Sequence, residues 1–262
     1  MSGTTVNYSV ADRVALIEID RPDKRNAISR AVAAALVETF ARFDEDDTTE
    51  VAILCGAGPA FSSGADVGEG QMLTRAELER SRDPLGIGQP LAELLHTCRN
   101  WKPVVAAVHG YALGLSLALM LECDLIVCED DAWLQVTETP RGLGGYRHWA
   151  LMKARGAAMF ADDVCITGRT FSGAEAHAAG LVTGLAPKGE VREKALALAR
   201  TIAANPPLSV RETVRIRRWH MHRLTQEVAF QTEGARLHLT EDFAEAVRAF
   251  AEKSAPGPFK AR

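Results

Sequence analysis

Long apolar runs are absent from this chain. Nothing in its 262 residues nears the ~20 consecutive apolar residues that a membrane-crossing helix needs. An excess of one charge is absent too. Net charge is −4, with acids and bases mixed along the chain, so no broad basic field exists to hold nucleic acid or an anionic membrane. Cysteine is sparse: Cys55, Cys98, Cys123, Cys128 and Cys165 are scattered, odd in number and without C-x-x-C spacing. That speaks against a disulfide frame and a zinc site, so the five read as reduced packing residues and no metal is expected. Met1 to Asp12 contains no basic stretch followed by an apolar one. The expectation is therefore a cytoplasmic protein without a secretory signal. Internal sequence repeats, low-complexity segments and linkers are missing as well.

What is present is apolar residues in short blocks. They make up 47% of the chain, enough to bury a core and too many for disorder. The length fits one large domain, or one domain with a smaller helical annex. Val14 to Ile19 and Val51 to Leu54 read as strands, and Ser29 as the N-cap of a helix carrying Val32, Leu36, Val37, Phe40 and Phe43. Residues 74–100 look largely helical, interrupted by Pro84, Gly86, Gly88 and Pro90. Pro103 to Val108 reads as a buried strand, followed by an apolar helix from about Gly114 to Glu122. Further strands are expected at Leu125 to Val127, Trp133 to Val136 and Leu181 to Leu185. Ser172-Gly173-Ala174-Glu175 is a capping box, and Gly180 suits a left-handed helix stop. From Glu190 the chain reads as helical, broken at Asn205-Pro206-Pro207. Alternating strands and helices with a helical tail imply an α/β core, 1–189, and a helical region, 190–262.

Three segments could carry chemistry: Phe61 to Asp66, His109 to Ser116, and Glu138. The first two follow buried strands and consist of small residues that let backbone approach a ligand. The second also opens a helix, where free N–H groups and the dipole favour negative charge. Two such amides aimed at one point would form an oxyanion hole, each donor supplying about 3–4 kcal/mol of transition-state stabilisation. A nearby carboxylate would then move protons. The bland alternatives are ordinary connecting turns and a solvated loop glutamate, and spacing alone does not choose between them.

The segments together resemble the enoyl-CoA hydratase/isomerase (crotonase) family. They are Arg21-Pro-Asp-Lys-Arg-Asn-Ala27, Gly56 to Asp66, Lys102 to Gly114, Cys123-Asp124, Thr167-Gly168 and Ala174 to Val182, in the family's order and at nearly its spacing. The resemblance implies a spiral of strand-strand-helix repeats with a C-terminal helical trimerisation region. It implies an acyl-CoA thioester as substrate, a homotrimer or a dimer of trimers, and no cofactor beyond the coenzyme A of the substrate. Matched residue by residue, the oxyanion amides fall on Ala65 and Leu115. Lys24, Arg25, Asn26 and Ala27 fall where the family lays the nucleotide end of coenzyme A, with Ser63, Gly64, Asp66 and Gly114 completing the binding turns. Asp66 is expected to hold its loop and Asp124 to be structural.

One departure bears on the reaction. Family hydratases carry two glutamates; here the first is replaced by Ala118 and the second survives as Glu138. Glu122 lies one helical turn beyond Ala118, ~6 Å further along the axis, too far for a direct proton contact. Adding water is easiest with two acids, whereas moving a double bond needs one base. Isomerisation with Glu138 as single acid/base is thus the favoured expectation, with hydration close behind. The altered loop Gly142-Leu143-Gly144-Gly145-Tyr146 borders the expected acyl pocket, which Trp149 and Phe160 could wall. The alternatives are a non-catalytic acyl-CoA binding protein and a serine hydrolase built on Ser116. Ser116 lies inside the helix start and not at a nucleophile corner. His109, after a buried strand, reads as a satisfied core histidine. The basic run Arg211, Arg215, Arg217, Arg218, His220, His222 and Arg223 reads as a solvated or partner-facing surface, not as a nucleic-acid patch.

Overall fold

A computed structural model of the chain describes residues 5–70, 74–81, 94–95, 98–232 and 235–262. The elements begin with β1 (Val6–Ala11), β2 (Val14–Ile19), α1 (Arg30–Glu45), β3 (Val51–Gly56), α2 (Val67–Gly70) and α3 (Arg75–Ser81). They continue with β4 (Val104–Val108), β5 (Tyr111–Leu113), α4 (Leu115–Glu122), β6 (Leu125–Glu129), β7 (Trp133–Gln135), α5 (Tyr146–Ala154) and α6 (Ala158–Thr167). The last are β8 (Thr170–Ser172), α7 (Gly173–Ala178), β9 (Gly184–Ala186), α8 (Val191–Ala203), α9 (Pro207–Thr232) and α10 (Glu241–Glu252).

Six strands form one sheet in the order β1-β2-β3-β4-β6-β9, parallel throughout except for the β1–β2 hairpin. β5, β7 and β8 form a second, three-stranded sheet. β4, β5 and α4 make one strand-strand-helix turn of a spiral; β6, β7 and α5 make the next. β3 and β4 are apolar and buried along their whole length because both faces of the large sheet are covered. Alternate residues serve the two faces. Val51, Ile53, Cys55, Val105 and Ala107 meet α8 through Val191, Ala195 and Ala199, while Ala52, Leu54, Val104, Ala106 and Val108 face the spiral interior. α4 lies in that interior with Leu115 to Leu121 all buried, which explains why it is apolar all round.

Local signals produce the expected ends. Ser29 Oγ accepts the Val32 N–H at 3.3 Å. Both bonds of the Ser172–Glu175 capping box form, and Gly180 takes φ +79° just beyond α7. Of the helical stretch expected over 74–100, α3 is described; Pro84, Gly86, Gly88 and Pro90 lie outside the described residues. The expected last strand is shorter and later than Leu181 to Leu185, because Leu181 and Val182 turn into the core as the exit of α7. Among the described residues no helix is long and apolar enough to cross a membrane, and no three ligating side chains converge as a metal site would require.

Part of the basic run on α9 corrects the solvated-surface expectation, while Arg215, His220 and Arg223 are exposed as expected. Arg218 is only 2% exposed and grips Asp124, and Arg217 donates to the same carboxylate at 2.8 Å. Arg211 pairs with Glu50 at 2.9 Å. These arginines fasten a long helix to the amino ends of β3, β4 and β6. The five thiols are unpaired, four of them buried and Cys98 partly so. Burial pushes Cys55, Cys123, Cys128 and Cys165 up to about 12, so none is a nucleophile at neutral pH.

Candidate active site

Two strand ends bring the glycine turns together. After β3 the chain crosses Phe61 to Asp66; after β4 it crosses His109 to Gly114. The two stretches run side by side, with Phe61 N–H donating to His109 O at 2.9 Å, Ser62 N–H to Tyr111 O at 3.1 Å and Leu113 N–H to Ser62 O at 3.3 Å. Gly64 sits at φ +89°, and a Cβ there would stand 2.3 Å from Leu113 O. It would also stand 3.5 Å from Leu115 N, so the first turn lies directly on the start of α4. Gly114 is at φ +50°, ψ −120°, and a Cβ there would collide with Thr137 Oγ1 at 2.3 Å. No other residue fits either position.

Neither Ala65 N–H nor Leu115 N–H finds an acceptor among the described residues. Leu115 is the first residue of α4, where the amide is free by construction and the helix dipole adds positive potential. The leucine side chain does not disturb the turn, because φ is not positive at this position.

Glu138 comes from the end of the β7 turn and reaches the same place. Its Oε1 lies 3.2 Å, and its Oε2 3.6 Å, from where a Gly114 Cβ would stand. Oε2 is buried and has no hydrogen-bond partner among the described residues. The carboxylate is backed by His148 of α5, whose Nε2 lies 3.8 Å from Oε2 and 2.9 Å from Gly114 O. The loop that carries Glu138 is clamped by α10: a Cβ on Gly142 would stand 3.0 Å from Phe243 Cα, and the Arg141 guanidinium stacks 4.0 Å above the Phe250 ring. Burial lowers the Arg141 pKa, and the Glu138 charge opposes that. Leu78, Leu143 and Phe243 form a separate apolar cluster beside this loop. Leu237 and Tyr146 approach Gly144.

Glu122 faces elsewhere. It is tied to Arg147, and burial raises its pKa against that pairing. Ala118 is 1% exposed and has no acid to offer. Ser116 Oγ lies 2.8 Å from Ser62 O and 2.9 Å from Leu113 O, and accepts the Leu113 N–H at 2.9 Å. It is fully buried and pins the two turns, which leaves a serine nucleophile without a basis. His109 differs from the satisfied core histidine expected of it. The residue is half-buried, with Nε2 2.9 Å from Gly58 O and Nδ1 buried without a hydrogen-bond partner among the described residues.

The segment expected to meet coenzyme A divides in two. Lys24 and Arg25 are exposed cations. Asn26 is fully buried, accepts Arg21 N–H at 2.9 Å and donates to Ala57 O and Ala60 O at 2.8 Å each. Its side chain holds the loop together. Ala27 is 9% exposed, and Ser63 N–H ties its turn to Arg25 O at 3.0 Å. Asp66 pairs with Arg21 at 3.1 Å. Trp149 and Phe160 pack against the core, Trp149 by donating to Asp162 at 2.6 Å and Phe160 edge-on to Phe171 at 5.2 Å. Sequence reasoning missed Thr137 and His148. Both are polar residues beside Gly114, and a histidine just before the apolar run Trp149 to Met152 was the one local hint.

Comparison with known proteins establishes the family. The family model described as enoyl-CoA hydratase/isomerase matches residues 9–261. An enoyl-CoA hydratase of Mycobacterium tuberculosis is 31% identical over 257 residues, covering 92% of this chain and 91% of its own. The mitochondrial Delta(3,5)-Delta(2,4)-dienoyl-CoA isomerase of Homo sapiens is 30% identical over 217 residues, 78% of this chain and 65% of its own. The solved structure of a carnitinyl-CoA dehydratase from Mycobacterium avium superposes with a TM-score of 0.81 at 27% identity, covering 99% of this chain and 100% of that one. With the family model spanning nearly the whole chain and the crotonase fold shared, this protein belongs to the enoyl-CoA hydratase/isomerase family of enzymes.

Proposed function

We propose that this enzyme moves the double bond of an enoyl-CoA thioester, with Glu138 as its single acid/base. The thioester oxygen sits between the amides of Ala65 and Leu115. Glu138 takes a proton from C2 of a 3-enoyl chain, the electrons pass into the carbonyl as an enolate, and the two amides hold the charge. Glu138 then returns the proton at C4, giving the 2-enoyl product with nothing gained or lost. Lys24 and Arg25 meet the phosphates of coenzyme A, while Asn26, Ala27, Ser63, Gly64, Asp66 and Gly114 shape the walls. No cofactor is required, because coenzyme A arrives with the substrate.

The observation that carries this reading is the Glu138 carboxylate against Gly114, one residue from an unpaired amide, on a helix whose Ala118 offers no acid. Hydration is the second reading, favoured by relatives named as hydratase and dehydratase. A panel of 2-enoyl, 3-enoyl and 3-hydroxyacyl thioesters separates the two. The wild type should isomerise 3-enoyl-CoA faster than it hydrates 2-enoyl-CoA. Ala118→Glu should raise the share of hydration by restoring the second acid, at some cost in stability because a buried carboxylate without partners is unfavourable. Rapid hydration of 2-enoyl-CoA by the wild type, with no isomerisation, would overturn the preference.

The proposed assembly is a homotrimer or a dimer of trimers, built through the helical region of residues 190–262. Its support is the exposed Ile216, Trp219 and Phe230 on α9, apolar side chains that a second copy would cover. A stable monomer in sedimentation at micromolar concentration would count against it. The unpaired thiols suit the reducing cytoplasm.

A further inference from the structure

We infer that His148 is a positioning residue, holding and polarising the peptide whose N–H receives the thioester oxygen. The inference rests on the proposed role of the Leu115 amide. His148 is 4% exposed, and its Nε2 lies 2.9 Å from Gly114 O. A carbonyl oxygen only accepts, so Nε2 carries the hydrogen of this bond. Gly114 O and Leu115 N belong to one peptide group. That group is planar and trans, so its C=O and N–H point in opposite directions. Whatever fixes the oxygen therefore aims the amide.

The peptide needs such a hold. Gly114 stands at φ +50°, ψ −120°, and glycine has no Cβ to bar the neighbouring backbone conformations. The first-turn bond from Ala118 N–H to Gly114 O, at 3.1 Å, is one restraint. His148 is the other, and it comes from α5, 34 residues away in sequence. Two donors on one carbonyl draw electron density toward its oxygen. That makes the N–H at the other end of the peptide a stronger donor. The amide gains strength at the point where enolate charge develops.

The same ring edge faces Glu138, with Oε2 3.8 Å from Nε2. This is beyond hydrogen-bond length, so Nε2–H belongs to Gly114 O and Glu138 keeps an unshared oxygen. His148 thus stands behind the peptide, on the side away from the amide's target. It does not replace the acid missing at Ala118, and its hydrogen bond acts on the reacting atoms through the backbone.

The test uses an arylacryloyl-CoA whose conjugated thioester reports polarisation through its absorbance and its carbonyl stretch. Both are read alongside kcat and KM for 3-enoyl-CoA. His148→Gln keeps an N–H donor of similar reach without the ring. His148→Leu keeps volume and removes the donor, and His148→Asn is polar but too short to reach Gly114 O. Leu115→Pro deletes the amide itself and sets the floor; proline is tolerated in a first helical turn. The bound wild type should show a red-shifted absorbance and a lowered carbonyl stretch. The Leu and Asn variants should lose most of both, with kcat falling about tenfold or more and KM little changed. The Gln variant should retain most of the shift and of kcat. A role confined to packing predicts the reverse order, with Leu the better substitute. Wild-type carbonyl shift and kcat in either the Leu or the Asn variant would overturn the inference, as would a Gln variant no better than Leu. Absence of any shift in the wild type, or its persistence in Leu115→Pro, would instead show that the oxyanion reading has failed, and the inference with it.

Discussion

Glu138→Gln should lower turnover by about two to four orders of magnitude, the range typical of a general acid–base group. The exchange preserves shape at a place where shape is tightly set. A Gly114 Cβ would be 3.2 Å from Oε1, so a longer or branched side chain would press on the Gly114 turn. Glutamine keeps the carbonyl-like oxygen there and cannot accept a proton from C2 at neutral pH. Binding should survive, because the cations expected to meet coenzyme A, Lys24 and Arg25, stand on a different loop. Rate is read from the conjugated product formed from 3-enoyl-CoA, and affinity from calorimetry with a saturated acyl-CoA. A fall in kcat with the dissociation constant nearly unchanged marks an interaction made in the transition state. Full turnover by a purified Gln variant would end the assignment of Glu138 as the base.

Much of the fold was legible because burial on both sides of a sheet leaves a plain mark. Val51 to Leu54 and Pro103 to Val108 are runs of apolar residues that nothing else explains, and they are the sheet's middle. Side-chain caps were legible for a different reason: Ser29, and Ser172 with Glu175, act within four residues of themselves. β1 was not legible. It is an edge strand with polar, half-exposed residues, joined to β2 by Asp12 and Arg13 at φ +50° and +64° without a glycine to mark the turn. β5 and β8 are three residues long, too short to show a period of two. α5 and α6 carry no clean amphipathic stripe, because each is packed by more than one neighbour. The glycine turns and Glu138 were found through family order, not spacing. That the turns meet at Gly64 and Leu115 is a tertiary fact, and so is the approach of Thr137 and His148 to Gly114. No local pattern announces a contact made across 34 residues.

Asp124→Asn should destabilise the fold by about 3–5 kcal/mol at neutral pH, the usual cost of removing one partner from a buried ion pair. Asp124 is 7% exposed and stands between α4, the helix of the proposed oxyanion amide, and strand β6. It accepts from Val104 N–H at 2.8 Å, from Arg217 Nη1 at 2.8 Å and from Arg218 Nε at 3.0 Å, and Arg218 Nη2 closes the fork. Arg218 donates onward to Lys102 O at 2.9 Å, and Arg217 to Cys123 O at 3.0 Å. An amide in place of the carboxylate leaves one buried guanidinium group, Arg218, and one partly buried, Arg217, facing no charge, and it turns donors toward donors. Arg155, bonded to Leu121 O at 2.7 Å, adds a third cation nearby. The pH dependence follows from the direction of the Asp124 shift. Burial pushes the carboxyl upward, and Arg218, Arg217 and the Val104 amide more than reverse it, so the folded value lies below the ordinary one. A depressed carboxyl contributes its stability in full above the unfolded value of about 3.9 and loses it as pH falls through the folded value. Urea midpoints taken across a pH series should therefore show the wild type well above the Asn variant near neutrality. The gap should narrow only in acid, below about pH 4, as the wild-type carboxyl takes up its proton. Equal midpoints at pH 7, or a gap that widens in acid, would mean that the arginine fork on α9 is not what fastens this helix to the catalytic core.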